Sequence, residues 1–208
     1  MNTNNDMLQT INQAMTSMAS QPNRMRIMEQ RSALLMDFLK EHGLAEPKSV
    51  KHEPLVGCEI EQCFRNVEAQ VKVAGGSMET GWAFCEEIDV SIHTIAHAIW
   101  ITPWGKRMDI TPWRYSPLKR ILFLPDAKVA VKRGYSAGCC TVIAKDPFVR
   151  SMLLFNRGLD QVFEDFVGAP GTSIDIPEAR FKDLAARVGF PWPLAQAIAS
   201  FRLSNSGH

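Results

Sequence analysis

Apolar residues change their spacing several times along the chain, and each change marks an element. Across residues 24–43, Met25, Met28, Leu34, Leu35, Phe38 and Leu39 recur near helical spacing until Gly43, predicting a Met-rich N-terminal helix. Residues 44–57 carry two prolines and read as a linker. After Cys63 the apolar positions Phe64, Val67, Val71 and Ala74 fall on one face before Gly75-Gly76, so Cys63 opens a second helix. From Val90 to Thr102 β-branched residues dominate and both faces are apolar, the pattern of a strand buried within a sheet. Ile121–Leu124 and Lys128–Lys132 read as short strands around a Pro125-Asp126 turn, and Thr141–Ala144 as another. Asp146-Pro147 and Asp175-Ile-Pro177 each resemble a helix start, Gly189 closes the second helix, and a last helix runs from about Pro193 to Leu203.

Four segments follow from this pattern. Residues 1–23, rich in Asn, Gln, Thr, Ser and Met, form a mobile arm, and residues 24–43 the N-terminal helix. Residues 44–145 form an α+β core in which a helix packs on an antiparallel sheet, and residues 146–208 a helical region packed on that core. The Met-rich helix is a packing element or a homodimer contact rather than a cofactor box.

The turn after the long strand predicts a register. Pro103-Trp104-Gly105 suits a three-residue hairpin loop, with Pro opening a type I turn and Gly in the left-handed position of the following bulge. Thr102 then faces Lys106, and Asp109 falls diagonally from His97 on the same face of the sheet. A loop one residue longer or shorter would turn Asp109 to the other face.

Composition narrows the classes. Lys and Arg number 23 against 22 Asp and Glu, a net charge of +1, so no global field favours nucleic acid or an anionic membrane. Apolar residues make up 46% and charged residues 22%, as in an ordinary globular protein. The first residues show no secretory pattern and no apolar run approaches the length of a membrane span. Five cysteines, an odd number without framework spacing, fit free thiols in a cytoplasmic setting.

The chemistry-bearing residues arrive in a telling order. Cys63 in the first turn of a helix lies where unpaired N–H groups and the helix dipole stabilise a thiolate, the reactive form of the side chain. His97, buried on its strand, needs partners for both ring nitrogens; Cys63 would take one and Asp109 the other. Each residue alone has a plainer reading: a small core cysteine, a satisfied core histidine, a solvated strand-end carboxylate. Together they make a nucleophile, a base and an orienting group. Zinc is the chemical rival, through Cys58, Cys63, His93 and His97, but on one strand the two histidines lie roughly 13 Å apart, too far for one ion. No metal or cofactor is therefore expected.

Cys63-Phe-Arg-Asn-Val, Gly75-Gly76, Gly81-Trp82, His97-Ala-Ile-Trp and Asp109-Ile-Thr-Pro resemble the core of transglutaminase-like proteins of the papain-like superfamily, and also a group of bacterial and phage proteins. The match spans about 55 residues. It implies a papain-like α+β fold with Cys63, His97 and Asp109 as catalytic residues. It also implies attack of Cys63 on the acyl carbon of an amide, with hydrolysis or acyl transfer from the thioester. The oxyanion would be held by the Cys63 backbone N–H and a polar side chain, Gln62 or Asn66. Trp82 is a candidate wall of the substrate groove, as is Trp100, although packing accounts for both. Phe-Arg after Cys63, in place of tryptophan, and the lack of a calcium-site pattern depart from cross-linking transglutaminases. The implied partner is a peptide or protein substrate. The alternative function is a non-catalytic protein-binding module that keeps the fold.

Overall fold

The structure, a computed structural model, describes residues 25–114, 117–129, 138–166 and 176–205. The expected arm over residues 1–23 lies outside the described residues. Among the described residues, seven strands and five helices follow in the order β1 (Met25–Ile27), α1 (Ala33–Glu41), β2 (Lys48–His52), α2 (Cys63–Ala74), β3 (Ser77–Glu87), β4 (Ser91–Ile101), β5 (Arg107–Asp109), β6 (Arg120–Pro125), β7 (Cys140–Val142), α3 (Pro147–Phe166), α4 (Glu178–Val188) and α5 (Trp192–Asn205). The architecture is mixed α+β.

Five strands close on themselves. β3 pairs with β6, β6 with β2, β2 with β5, β5 with β4, and β4 returns to β3, forming a closed barrel. All these pairs are antiparallel except β2–β5, which runs parallel with His52 beside Asp109. The expected antiparallel sheet is thus a barrel with one parallel pair. β1 and β7 are added outside the cycle, on β3 and β4. The β4–β5 hairpin adopts the expected register: Trp100 faces Met108, Ile101 faces Arg107, and the Thr102 N–H donates to the Lys106 carbonyl at 2.9 Å. Gly105 takes φ +78°, as the bulge requires.

Three other expectations are corrected. Residues 25–27 are a strand and not part of a helix, because their backbone joins the ladder of β3. Met28 continues it, donating to the Phe84 carbonyl and accepting from the Leu122 N–H, both at 2.9 Å. The helix begins only at Ala33, where the Ser32 hydroxyl caps the Leu35 N–H at 3.2 Å. The stretch read as a linker holds β2, in which Val50 and His52 turn inward. Lys128 and Val129 close a turn on Asp126 instead of opening a strand, through bonds to its carboxylate at 2.9 Å and its carbonyl at 3.1 Å. Residues 130–132 of that expected strand lie outside the described residues.

The barrel lumen is filled by Val50, Ile99, Ile121 and Phe123. On its outer surface, α1 presses Leu35, Phe38 and Leu39 against Phe84, Ile92 and Leu122, while α2 packs Val67 against Ala98, Trp100, Met108 and Ile110. The C-terminal helices bury a separate apolar cluster around Phe155, Leu159, Phe163, Phe181, Leu184 and Phe190. Asp146 caps α3 through the Val149 N–H at 2.8 Å, and Gly189, left-handed at φ +69°, ends α4. Among the described residues no helix is long and apolar enough to cross a membrane.

Candidate active site

α2 delivers Cys63 to one end of the barrel, and both ends of the helix are fixed. At its far end Gly76, at φ +84°, lies so close to β4 that a Cβ would sit 2.1 Å from the Ile101 carbonyl oxygen. The Trp100 indole N–H locks this corner by donating to the Gly75 carbonyl at 2.9 Å. At the near end the Asn66 side chain holds the preceding loop. Its carbonyl accepts from the Glu59 N–H at 2.9 Å, and its amide donates to the Glu59 carbonyl at 2.7 Å and the Thr111 hydroxyl at 3.2 Å. Glu61, two residues before the cysteine, has φ +60°, a costly conformation for a residue with a Cβ, and its N–H donates to the Pro112 carbonyl at 3.1 Å.

His97 points into the lumen from β4, opposite Gly81, with the Trp113 ring 4.8 Å from its own. Its Nε2 donates to Asp109 Oδ1 at 3.0 Å, which leaves Nδ1 available to Cys63, the other group that acts on the ring. Asp109 is 0% exposed and His97 1%, while the Cys63 residue retains 7%. The buried carboxylate is fully served. Oδ1 accepts from His97 and from the Thr111 N–H at 3.2 Å; Oδ2 accepts from His52 Nδ1 at 2.8 Å and the Trp113 indole at 2.9 Å.

These contacts decide the charges. Burial pushes the Asp109 carboxyl up, but the charge of His97 and hydrogen bonds from His52, His97 and Trp113 outweigh it, holding the group ionised far below the usual carboxylate range. Burial would likewise depress the His97 imidazole; the charges of Asp109 and Cys63 and their hydrogen bonds reverse this and raise it well above its ordinary value. For Cys63, burial raises the thiol. The charge and hydrogen bond of His97, with the backbone N–H groups of Ala98 and Phe64, more than offset that and bring it below an ordinary thiol. Ala98 serves the sulfur just beyond Trp100–Met108, the last β4–β5 pair on this side. The arrangement favours a thiolate–imidazolium pair backed by a carboxylate. A cleft of about 320 Å³ opens over it, walled by Met25, Ile95 and Trp113 with Ala96, Thr111 and Glu61.

Cys63, His97 and Asp109 are therefore brought together as one chain of contacts. The weaker candidates fare differently. Gln62 is exposed beside Cys63 and makes no capping bond. Asn66 is buried with its amide committed to Glu59 and Thr111, which removes it as an oxyanion donor. Trp82 lies on the face of β3 opposite that of Gly81 and His97, where its indole donates to Asp126 at 3.1 Å, so it does not wall the cleft. Among the described residues no group of three or more His, Cys, Asp or Glu is arranged to hold a metal. His52 and Trp113 went unread in the sequence. Trp113 had a signal, the alternation Asp109, Thr111, Trp113; His52 stood in an apparent linker. No protein-family model, curated protein or solved structure matches the chain.

Proposed function

We propose that the protein is a cysteine-dependent hydrolase or acyltransferase that acts on an amide, in a peptide or protein, through a thioester on Cys63. A papain-like, transglutaminase-like core accompanies this reading. It is supported by the chain order Cys, His, Asp and by a helix-borne cysteine set against strands that carry the other two. The observation that carries the reading is the buried His97 ring, bonded to Asp109 through Nε2 and lining one cleft with Cys63, near enough to lower the Cys63 thiol. That is the arrangement a base needs to take a thiol proton and later return it.

The steps follow from these positions. The Cys63 thiolate adds to the amide carbon, forming a C–S bond and an oxyanion. The backbone N–H of Cys63, in the first turn of α2 and without a helical acceptor, donates to that oxygen. Collapse breaks the C–N bond, and the leaving amine takes the proton from the His97 imidazolium. Water or an amine then adds to the thioester, His97 accepts its proton, and the thiolate departs. Asp109 keeps the imidazole in the required tautomer throughout.

The test is the rate of iodoacetamide alkylation against pH for wild type, Cys63→Ala and His97→Ala. Rapid labelling near neutral pH, absent in Cys63→Ala and slowed in His97→Ala, is the expected result. The other cysteines do not obscure it, since burial raises the thiols of Cys58, Cys85, Cys139 and Cys140. Labelling of Cys63 at an ordinary thiol rate, indifferent to His97, would overturn the reading in favour of a protein-binding module.

A further inference from the structure

A three-residue description of the site leaves half of its carboxylate unexplained. Asp109 Oδ1 is held by His97 and the Thr111 N–H, but Oδ2 is held by two groups outside the triad, His52 and Trp113. A carboxylate with one oxygen unserved in a dry interior rotates or takes up a proton, because an unpaired buried charge is costly. Whatever fixes Oδ2 therefore also fixes the direction in which Oδ1 faces His97.

His52 is built for that task. It ends β2, the one strand that runs parallel to β5, in direct register with Asp109. Its backbone is pinned on both sides: the His52 N–H donates to the Lys119 carbonyl at 3.0 Å, and the next N–H, of Glu53, donates to the Asp109 carbonyl at 2.8 Å. The ring thus meets the carboxylate from a strand tied to the carboxylate's own backbone. Because ionised Asp109 only accepts, His52 Nδ1 must carry the proton of their 2.8 Å bond. A generic core histidine has no need of this register, and among the described residues His52 is the β2 side chain that hydrogen-bonds to Asp109.

We infer that His52 is a fourth functional residue, a positioning residue that acts through Asp109 to set the charge state of the Cys63–His97 pair. The inference rests on the thiolate reading above and deepens it. His52 touches neither sulfur nor cleft; its effect reaches Cys63 only along the chain His52, Asp109, His97.

The experiment compares His52→Asn with His52→Gln, scored by the pH profile of Cys63 alkylation with iodoacetamide. The Asn amide places an N–H where Nδ1 lies, whereas the Gln amide reaches towards the Nε2 position. His52→Asn is expected to keep the wild-type profile. His52→Gln is expected to move the midpoint up by about one pH unit, roughly a tenfold loss of rate on the acid side. His52→Leu, where it folds by circular dichroism, should match or exceed the Gln shift. Profiles for His52→Gln and wild type that superimpose would overturn the inference, as would equal shifts in Asn and Gln. Wild type serves as the separate control: a slow, His97-independent wild-type thiol defeats the thiolate reading itself, whereas a fast wild type with an unmoved His52→Gln defeats only the role of His52.

Discussion

Two histidines lie four residues apart on the same face of β4, both nearly sealed from water, with opposite chemistry. His97 meets the Asp109 carboxylate and Cys63, and its imidazole is driven upward towards the charged form. His93, 5% exposed, sits between Cys85 and Cys140 on the flanking strands, and its Nδ1 has no hydrogen-bond partner. Burial, aided by the nearby Arg157 guanidinium, pushes it down to about 3. Strand, face and burial are shared, so burial cannot be what makes a histidine functional. The difference is one carboxylate with all four of its acceptor positions supplied.

Removing that carboxylate should make the two ends of the strand alike. In Asp109→Asn, His97 loses its anion, and Cys63 alkylation at pH 7 is expected to fall on the order of 100-fold, read by stopped-time labelling and mass spectrometry. A change below threefold would mean that His97 does not depend on Asp109.

A smaller effect sharpens the other end. The folded His93 pKa lies below its unfolded value, so between about pH 6.5 and pH 3 the unfolded chain binds a proton that the folded one refuses. The stability this gives is complete above the unfolded pKa and declines as pH falls, by about 2 kcal/mol at pH 5. His93→Leu should abolish that part of the acid loss, measured as urea midpoints at pH 7 and pH 5. Equal losses in wild type and variant would show that His93 titrates normally.

The smallest effect separates strain from charge. Each end of the system has a non-glycine residue at positive φ, Glu61 before the nucleophile and Asp89 in the β3–β4 turn. Aspartate tolerates that conformation better than glutamate. Glu61→Gly is therefore expected to stabilise the fold by about 0.5–1 kcal/mol, and Asp89→Gly by less. Only Glu61→Gly, which alters the cleft wall, should change Cys63 alkylation. Equal effects of both on labelling would sever the loop geometry from the site.

What could be read in the sequence was local. Pro103 and Gly105 set the parity of a short loop, and parity alone put Asp109 on the His97 face; Gly75-Gly76 ended α2 where expected. What could not be read depended on distant pairing. Lys-Ser-Val-Lys-His offers one apolar residue, so β2 becomes a strand only beside β5 and β6, and His52 has no meaning until Asp109, 57 residues later, lies against it. The same applies to Met25–Ile27, whose apolar spacing merges with that of α1 until β3 claims it. Barrel closure needed β2, and was invisible without it.

That closure also orders events in time. β2 cannot meet β5 and β6 until the chain through residue 123 has been made and the longest loops in the barrel have closed, a slow class of contact in folding. Before then Asp109 has no His52, and no closed barrel holds its carboxylate against His97 or His97 against Cys63. A chain emerging from the ribosome, or one opened by heat, would accordingly carry no aggressive nucleophile among its own exposed amides. On the reading proposed above, reactivity would depend on the pairings of β2 as much as on the three residues themselves.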